Sequence, residues 1–126
     1  MSSKKPALTD VPVLLIFFAR PESLGLVFEQ IKEARPQKLF LYQDGARDNR
    51  PDDIINIEKC RKIVDEIDWE CEVYRKYQER NIGCDPSEYI AQKWIFEYVN
   101  QAIILEDDDV PSQSFFPFCK ELLDKY

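Results

Sequence analysis

Histidine is absent from this chain of 126 residues. That absence excludes Ser-His-Asp and Cys-His catalysis, His-ligated zinc and histidine pH switches. Glycine is scarce, with three residues, and neither GxGxxG nor GxxxxGK[ST] occurs. A dinucleotide fingerprint and a P-loop are therefore both unsupported. The four cysteines, Cys60, Cys71, Cys84 and Cys119, include no CxxC pair, which removes a zinc knuckle and a thioredoxin-type motif. Long apolar runs are missing as well. The run at 11–18 is much too short to span a bilayer. Phe17-Phe18-Ala19-Arg20 lacks the small residues of a signal cleavage site. Nor is there a basic excess: 17 Lys+Arg against 24 Asp+Glu leave a net charge of −7. Non-specific nucleic-acid binding needs the opposite balance.

What is present reads as one globular domain. Hydrophobic residues make up 44% of the chain and charged residues 33%, enough to build a core and too apolar for disorder. Residues 1–10 are expected to be a flexible lead, and residues 11–126 a single α/β domain. Three of the cysteines sit in apolar stretches, where a reduced thiol packs as a small hydrophobe. All four are expected to be reduced, which places the protein in the cytoplasm.

The apolar run at 11–18 is continuous rather than alternating, the mark of a strand buried on both faces. Pro21 then opens a helix in which Leu24, Val27, Phe28, Ile31 and Ala34 recur at helical spacing, and Pro36 stops it. A second strand covers 38–43, and a polar loop covers 46–53. A second helix follows with Ile57, Cys60, Val64 and Ile67 on one face. The third strand is expected over 69–77. Asp85 is the expected cap of a third helix, with Pro86 at its first position and Glu88 three residues after the cap. Ile90, Ala91, Trp94, Ile95 and Tyr98 are its expected buried face. A short fourth strand at 102–105 precedes Glu106-Asp107-Asp108-Asp109, and Ser114 caps a last helix carrying Phe115, Phe118, Cys119, Leu122 and Tyr126.

Strict strand–helix alternation predicts a three-layer α/β/α fold around a mainly parallel sheet of about four strands. Ligands in such sheets bind beyond the carboxyl ends of the strands. The candidate site residues are therefore Arg20 after the first strand, Asp44 after the second, Arg80 and Asn81 after the third, and the acidic run after the fourth. Adjacent carboxylates pressed against a buried strand either share a cation or raise each other's pKa. Without His or CxxC the ligands are all oxygen, which selects Mg²⁺ or Mn²⁺. Such a cation completes its shell with phosphate oxygens and water. Arg20 and Arg80 would complement a diphosphate, and Asp44 could accept from a base N–H or a ribose hydroxyl.

These residues carry a resemblance. Residues 13–20, Gln43-Asp44, Arg80-Asn81-Ile82-Gly83-Cys84, and above all Ile103-Ile104-Leu105-Glu106-Asp107-Asp108 with Pro111, Phe115 and Phe116 stand in a familiar order. The chain resembles the N-terminal, nucleotide-binding half of a GT-A glycosyltransferase, in the group of the Golgi N-acetylglucosaminyltransferases and their bacterial relatives. The resemblance covers nearly all of the chain from Val11 onward. It implies a sheet in the order 3-2-1-4, a nucleotide sugar as donor (a UDP-sugar foremost), and an acceptor glycan or other hydroxyl compound. It implies Asp108 as ligand of the metal that bridges the diphosphate. Glu106 and Asp107 would hold ribose or base, Asp44 the uracil-type edge, Arg20 the nucleotide, and Arg80 the phosphates or base. Asp109 creates a second DxD with Asp107, so the metal register lies between Asp108 and Asp109. Complete enzymes of this kind continue into an acceptor-binding half, which makes the chain an expected N-terminal part. It also leaves the strand at 102–105 on a bare edge, through which the chain is expected to associate with itself unless the last helix covers it.

Each of these residues has a plainer role open to it. Arg20 could pair with an acidic neighbour, Asp44-Gly45 is a common turn pair, and Arg80-Asn81 could anchor a loop. The alternatives to an enzyme are a non-catalytic nucleotide-binding or interaction module and a signalling receiver domain. A receiver needs an acidic pair after its first strand and an Asp after its third; Ala19-Arg20 and Arg80-Asn81 stand there instead.

Overall fold

In the computed structural model, residues 4–108 are described. Asp109, Pro111, Ser114, Cys119 and the expected last helix at 115–126 lie outside them. Strand β1, Val13–Phe17, grows from the apolar run and is almost wholly buried, because helices cover the sheet on both sides. Helix α1, Pro21–Ala34, starts on Pro21, whose fixed φ suits a first helical position. It stops where Arg35 turns left-handed at φ 48° and returns its N–H to the Ile31 carbonyl. Pro36 then blocks any continuation.

Strand β2, Lys38–Gln43, is followed by helix α2, Pro51–Val64, which starts on Pro51 inside the stretch 46–53 expected to be loop, since proline suits a first helical position, and which ends before Ile67. Strand β3, Glu72–Tyr77, helix α3, Cys84–Ile95, and strand β4, Ile103–Glu106, complete the order. All pairings are parallel, in the sequence β3-β2-β1-β4. Leu15 sits between Leu41 of β2 and Leu105 of β4. The expected fold class and strand order are both present.

Alternation along the strands divides the core into two layers. Val13, Leu15, Phe17, Leu39 and Leu41 meet α1 and α2 through Leu24, Phe28, Ile31, Cys60 and Val64. Leu14, Phe40 and Tyr42 point the other way and meet Ala91 and Ile95 of α3. Phe40 stacks on Tyr74 with ring centroids 4.5 Å apart.

Several boundaries differ from expectation, each for a local reason. β3 begins at Glu72 rather than 69. Trp69 precedes it as a fully buried core residue whose indole N–H donates to the Pro36 carbonyl at 2.8 Å. β4 lies one residue later than expected, so that Glu106 pairs with Ile16. The cap of α3 is Gly83, not Asp85. Gly83 has φ 94° and ψ 165°, a conformation open to glycine, and its carbonyl accepts from the Ser87 N–H at 3.1 Å. Asp85 falls in the first turn instead, where its charge faces the positive helix end. Because α3 ends at Ile95, Tyr98 leaves the helical register and is 57% exposed rather than buried.

The lead segment is tied down from Lys5. Lys5 bonds backbone to backbone with Asp68 and Glu70, and Thr9 with Arg35 and Gln37. Among the described residues Cys60, Cys71 and Cys84 are free thiols, and no helix is long and apolar enough to cross a membrane.

Candidate functional site

The parallel arrangement brings the carboxyl ends of β1, β2 and β4 and the start of α3 to one sheet edge. Their backbones leave the sheet there, so side chains must satisfy them. Gln43, fully buried, donates from Nε2 to the Phe18 carbonyl at 2.8 Å and accepts at Oε1 from Arg61 Nε at 2.8 Å. The Arg61 guanidinium in turn lies 4.6 Å over the Tyr77 ring. The Phe18 N–H donates to Asp107 Oδ2 at 3.2 Å, tying the end of β1 to the acidic segment after β4.

Asp44 is the most heavily engaged side chain of this edge. It is buried, and both carboxylate oxygens accept twice. Oδ1 takes the N–H of Gly45 at 2.8 Å and of Ile82 at 2.9 Å. Oδ2 takes the N–H of Gly83 at 3.1 Å and Asn81 Nδ2 at 3.1 Å. An ionised carboxylate offers about four lone-pair sites, and the protein fills them. Asn81 also donates to the Gly45 carbonyl at 3.0 Å. The loop before α3 is thus held to the end of β2 by one carboxylate. Gly45 permits the close approach: a Cβ there would stand 2.5 Å from the Arg80 carbonyl carbon.

Between these groups lies a cleft of about 360 Å³. Arg20, Asp44, Asn81, Glu106, Asp107 and Asp108 all line it. Arg80 is exposed, and among the described residues it takes no part in the cleft wall, although its backbone approaches Gly45 closely. Asp109 lies outside the described residues. On the cleft floor Tyr42 donates its hydroxyl to Ser87 Oγ at 3.1 Å.

Arg47 is a cleft residue that the sequence reading passed over as part of a polar loop. It stands three residues after Asp44, and the same strand-end rule reaches it. Its Nε and Nη2 bind the two oxygens of Asp53 at 2.8 and 2.9 Å, and its guanidinium lies 5.6 Å over the Phe18 ring. The Arg47 hydrogen bond holds the Asp53 carboxyl down at about 2. Asp53 raises Arg47 in return.

The acidic side behaves differently. Burial pushes the Asp107 carboxyl up, and Asp108 adds to this; the Phe18 N–H and Arg20 oppose it. Cys84, the first residue of α3, is raised first by burial and then by Glu88, Glu106, Asp85 and Asp107. A helix N-terminus by itself would lower a thiol, so burial, with the carboxylates adding to it, outweighs the helix end here. In total the cleft wall carries five carboxylates (Asp44, Glu88, Glu106, Asp107, Asp108) against the two guanidiniums of Arg20 and Arg47.

Among the described residues no three Cys, Asp or Glu side chains converge as a ready metal cage. Residues 106–108 offer hard oxygen donors at the cleft. Mg²⁺ and Mn²⁺ sites of the phosphate-bridging kind need only one or two carboxylates from the protein. Comparison with known proteins finds no family model that matches the chain and no matching curated protein.

Proposed function

We propose that the chain is the nucleotide-binding part of a GT-A-type glycosyltransferase. It binds a nucleoside-diphospho-sugar, a UDP-sugar foremost, through Mn²⁺ or Mg²⁺, for transfer of the sugar to an acceptor hydroxyl. One observation carries this reading. The cleft at the carboxyl edge gathers Arg20, Asp44, Asn81, Glu106, Asp107 and Asp108 on a wall where carboxylates outnumber cations. A diphosphate entering such a wall is repelled unless a divalent cation bridges it to the carboxylates. The same cation would neutralise charge developing on the departing nucleotide diphosphate. Asp108 is the exposed member of the triplet. Asp107 has one oxygen committed to Phe18. Asp44 takes the part of a positioning residue, since its oxygens are occupied within the protein.

The free thiols Cys60, Cys71 and Cys84 support a cytoplasmic setting. Among the described residues β4 ends the sheet order on one side, which supports association of two chains through that edge. Calorimetry of UDP binding with Mn²⁺ and with a chelator tests the main proposal. Binding is expected to be tighter with Mn²⁺, and Asp108→Ala is expected to abolish the difference more completely than Asp109→Ala. Equal affinity with and without the metal refutes the metal bridge.

A further inference from the structure

Arg47 is not needed by the metal reading, yet it is the most firmly oriented cation in the cleft. Two hydrogen bonds to Asp53 fix the guanidinium plane, and Asp53 itself is only 6% exposed at its side chain. A third hydrogen bond, from the Arg47 backbone N–H to Asp53 Oδ2 at 3.1 Å, fixes the chain beneath it. The plane lies over Phe18, while 49% of the Arg47 side chain remains open to solvent. A guanidinium spent on a carboxylate has little net charge left for a phosphate. The group is nevertheless flat and lines the cleft, and guanidinium faces stack on planar π systems.

Position within the sheet narrows the ligand group. Phe18 follows β1, and β1 lies between β4, which leads to the acidic triplet, and β2, which leads to Asp44. A diphosphate bridged to residues 106–108 would therefore extend its nucleoside across β1. Asp44, the obvious reader of a base edge, has no acceptor site left. We infer that Arg47, held by Asp53 and seated over Phe18, is the platform on which the nucleobase of the ligand stacks. This rests on the nucleotide reading above and narrows it: the base is held by its face, so any lead of UDP over CDP and ADP stays within about tenfold.

Calorimetry in Mn²⁺ with UDP, CDP, ADP and pyrophosphate tests it, on the whole chain and on Arg47→Lys. Lysine keeps the charge beside Asp53 and removes the plane; the thermal midpoint of the variant reports whether it folds. The expected result has three parts. UDP, CDP and ADP bind the unaltered chain within about tenfold of one another, as face stacking is sequence-tolerant. All three bind more tightly than pyrophosphate. Arg47→Lys loses about tenfold for the nucleotides, the scale of one stacked base, and leaves pyrophosphate unchanged. The platform is refuted if Arg47→Lys leaves UDP affinity intact, or if nucleotide and pyrophosphate affinities fall together. It is also refuted if UDP exceeds ADP by more than about a hundredfold, since only edge-specific hydrogen bonding discriminates on that scale. If the variant does not fold, the unaltered chain still refutes the platform when pyrophosphate binds as tightly as the nucleotides or UDP exceeds ADP by more than about a hundredfold, and Arg47→Gln then tests the residue itself. Binding of neither UDP nor pyrophosphate refutes the nucleotide reading itself, a result distinct from loss of the base preference alone.

Discussion

Replacing Asp44 by Asn would remove one oxygen and put an NH₂ group in its place. The carboxylate accepts four hydrogen bonds, two on each oxygen. The carboxamide keeps two acceptor sites on its remaining oxygen. Its nitrogen then faces two N–H donors, whichever way the group is turned. Hydrogen bonds to a charged partner are worth about 1.5–3 kcal/mol each, so losing two costs about 3 kcal/mol or more. The stranded donors add to that cost, because the site is part-buried and water reaches it poorly. Urea denaturation followed by circular dichroism is the assay. We expect Asp44→Asn to lower the unfolding free energy by about 3 kcal/mol with an unchanged m-value. In a domain of this size that corresponds to a fall in Tm of roughly 10 °C. Asn81→Ala removes only the two bonds of one exposed amide and should cost about 1 kcal/mol. A loss below about 0.5 kcal/mol for Asp44→Asn, the scale of an ordinary surface change, would refute the account of Asp44 as the latch of the loop before α3.

Gly45→Ala drives a Cβ to 2.5–2.7 Å from three backbone atoms of Arg80, a clash that no rotamer relieves. It should destabilise the fold by about 2–3 kcal/mol, and unfolding close to wild-type would show that the loop yields freely. Stability should also fall in acid through Asp53. Its folded value of about 2 lies below the ordinary 3.8, so its contribution is fully present above the ordinary value and is lost as pH falls towards 2. Asp53→Asn should flatten that part of a pH–stability curve, and a curve unchanged by the substitution would count against the Arg47–Asp53 pair.

Nearly all of the architecture was legible from spacing. The unbroken apolar run of β1, the proline at 21, and the 3.6-residue recurrence along α1 are local signals, and local signals survive folding. Boundaries were less legible where a tertiary contact competed with propensity. Trp69 looks like a strand residue by type, but its indole is drawn to Pro36, 33 positions away. Asp85 looks like a cap by type, but the loop before it is held by Asp44 from 37 to 39 positions away, which moves the turn back to Gly83.

The candidate site divides along the same line. That Arg20, Asp44, Asn81 and residues 106–108 share one edge follows from strand order, and alternation of strands and helices determines that much without coordinates. What each residue does there depends on partners far along the chain. Asp44 has its oxygens filled by a loop beyond β3, and Asp107 is bound to Phe18 across 89 positions. Arg80 stays exposed outside the cleft wall, and Arg47 is held there by Asp53. A sequence determines which side chains arrive at a sheet edge, because periodicity and chain direction are properties of short segments. Whether an arriving carboxylate is free for a ligand or spent on the protein is a matter of hydrogen-bond saturation, and only the packed structure decides which donors come within 3 Å of it.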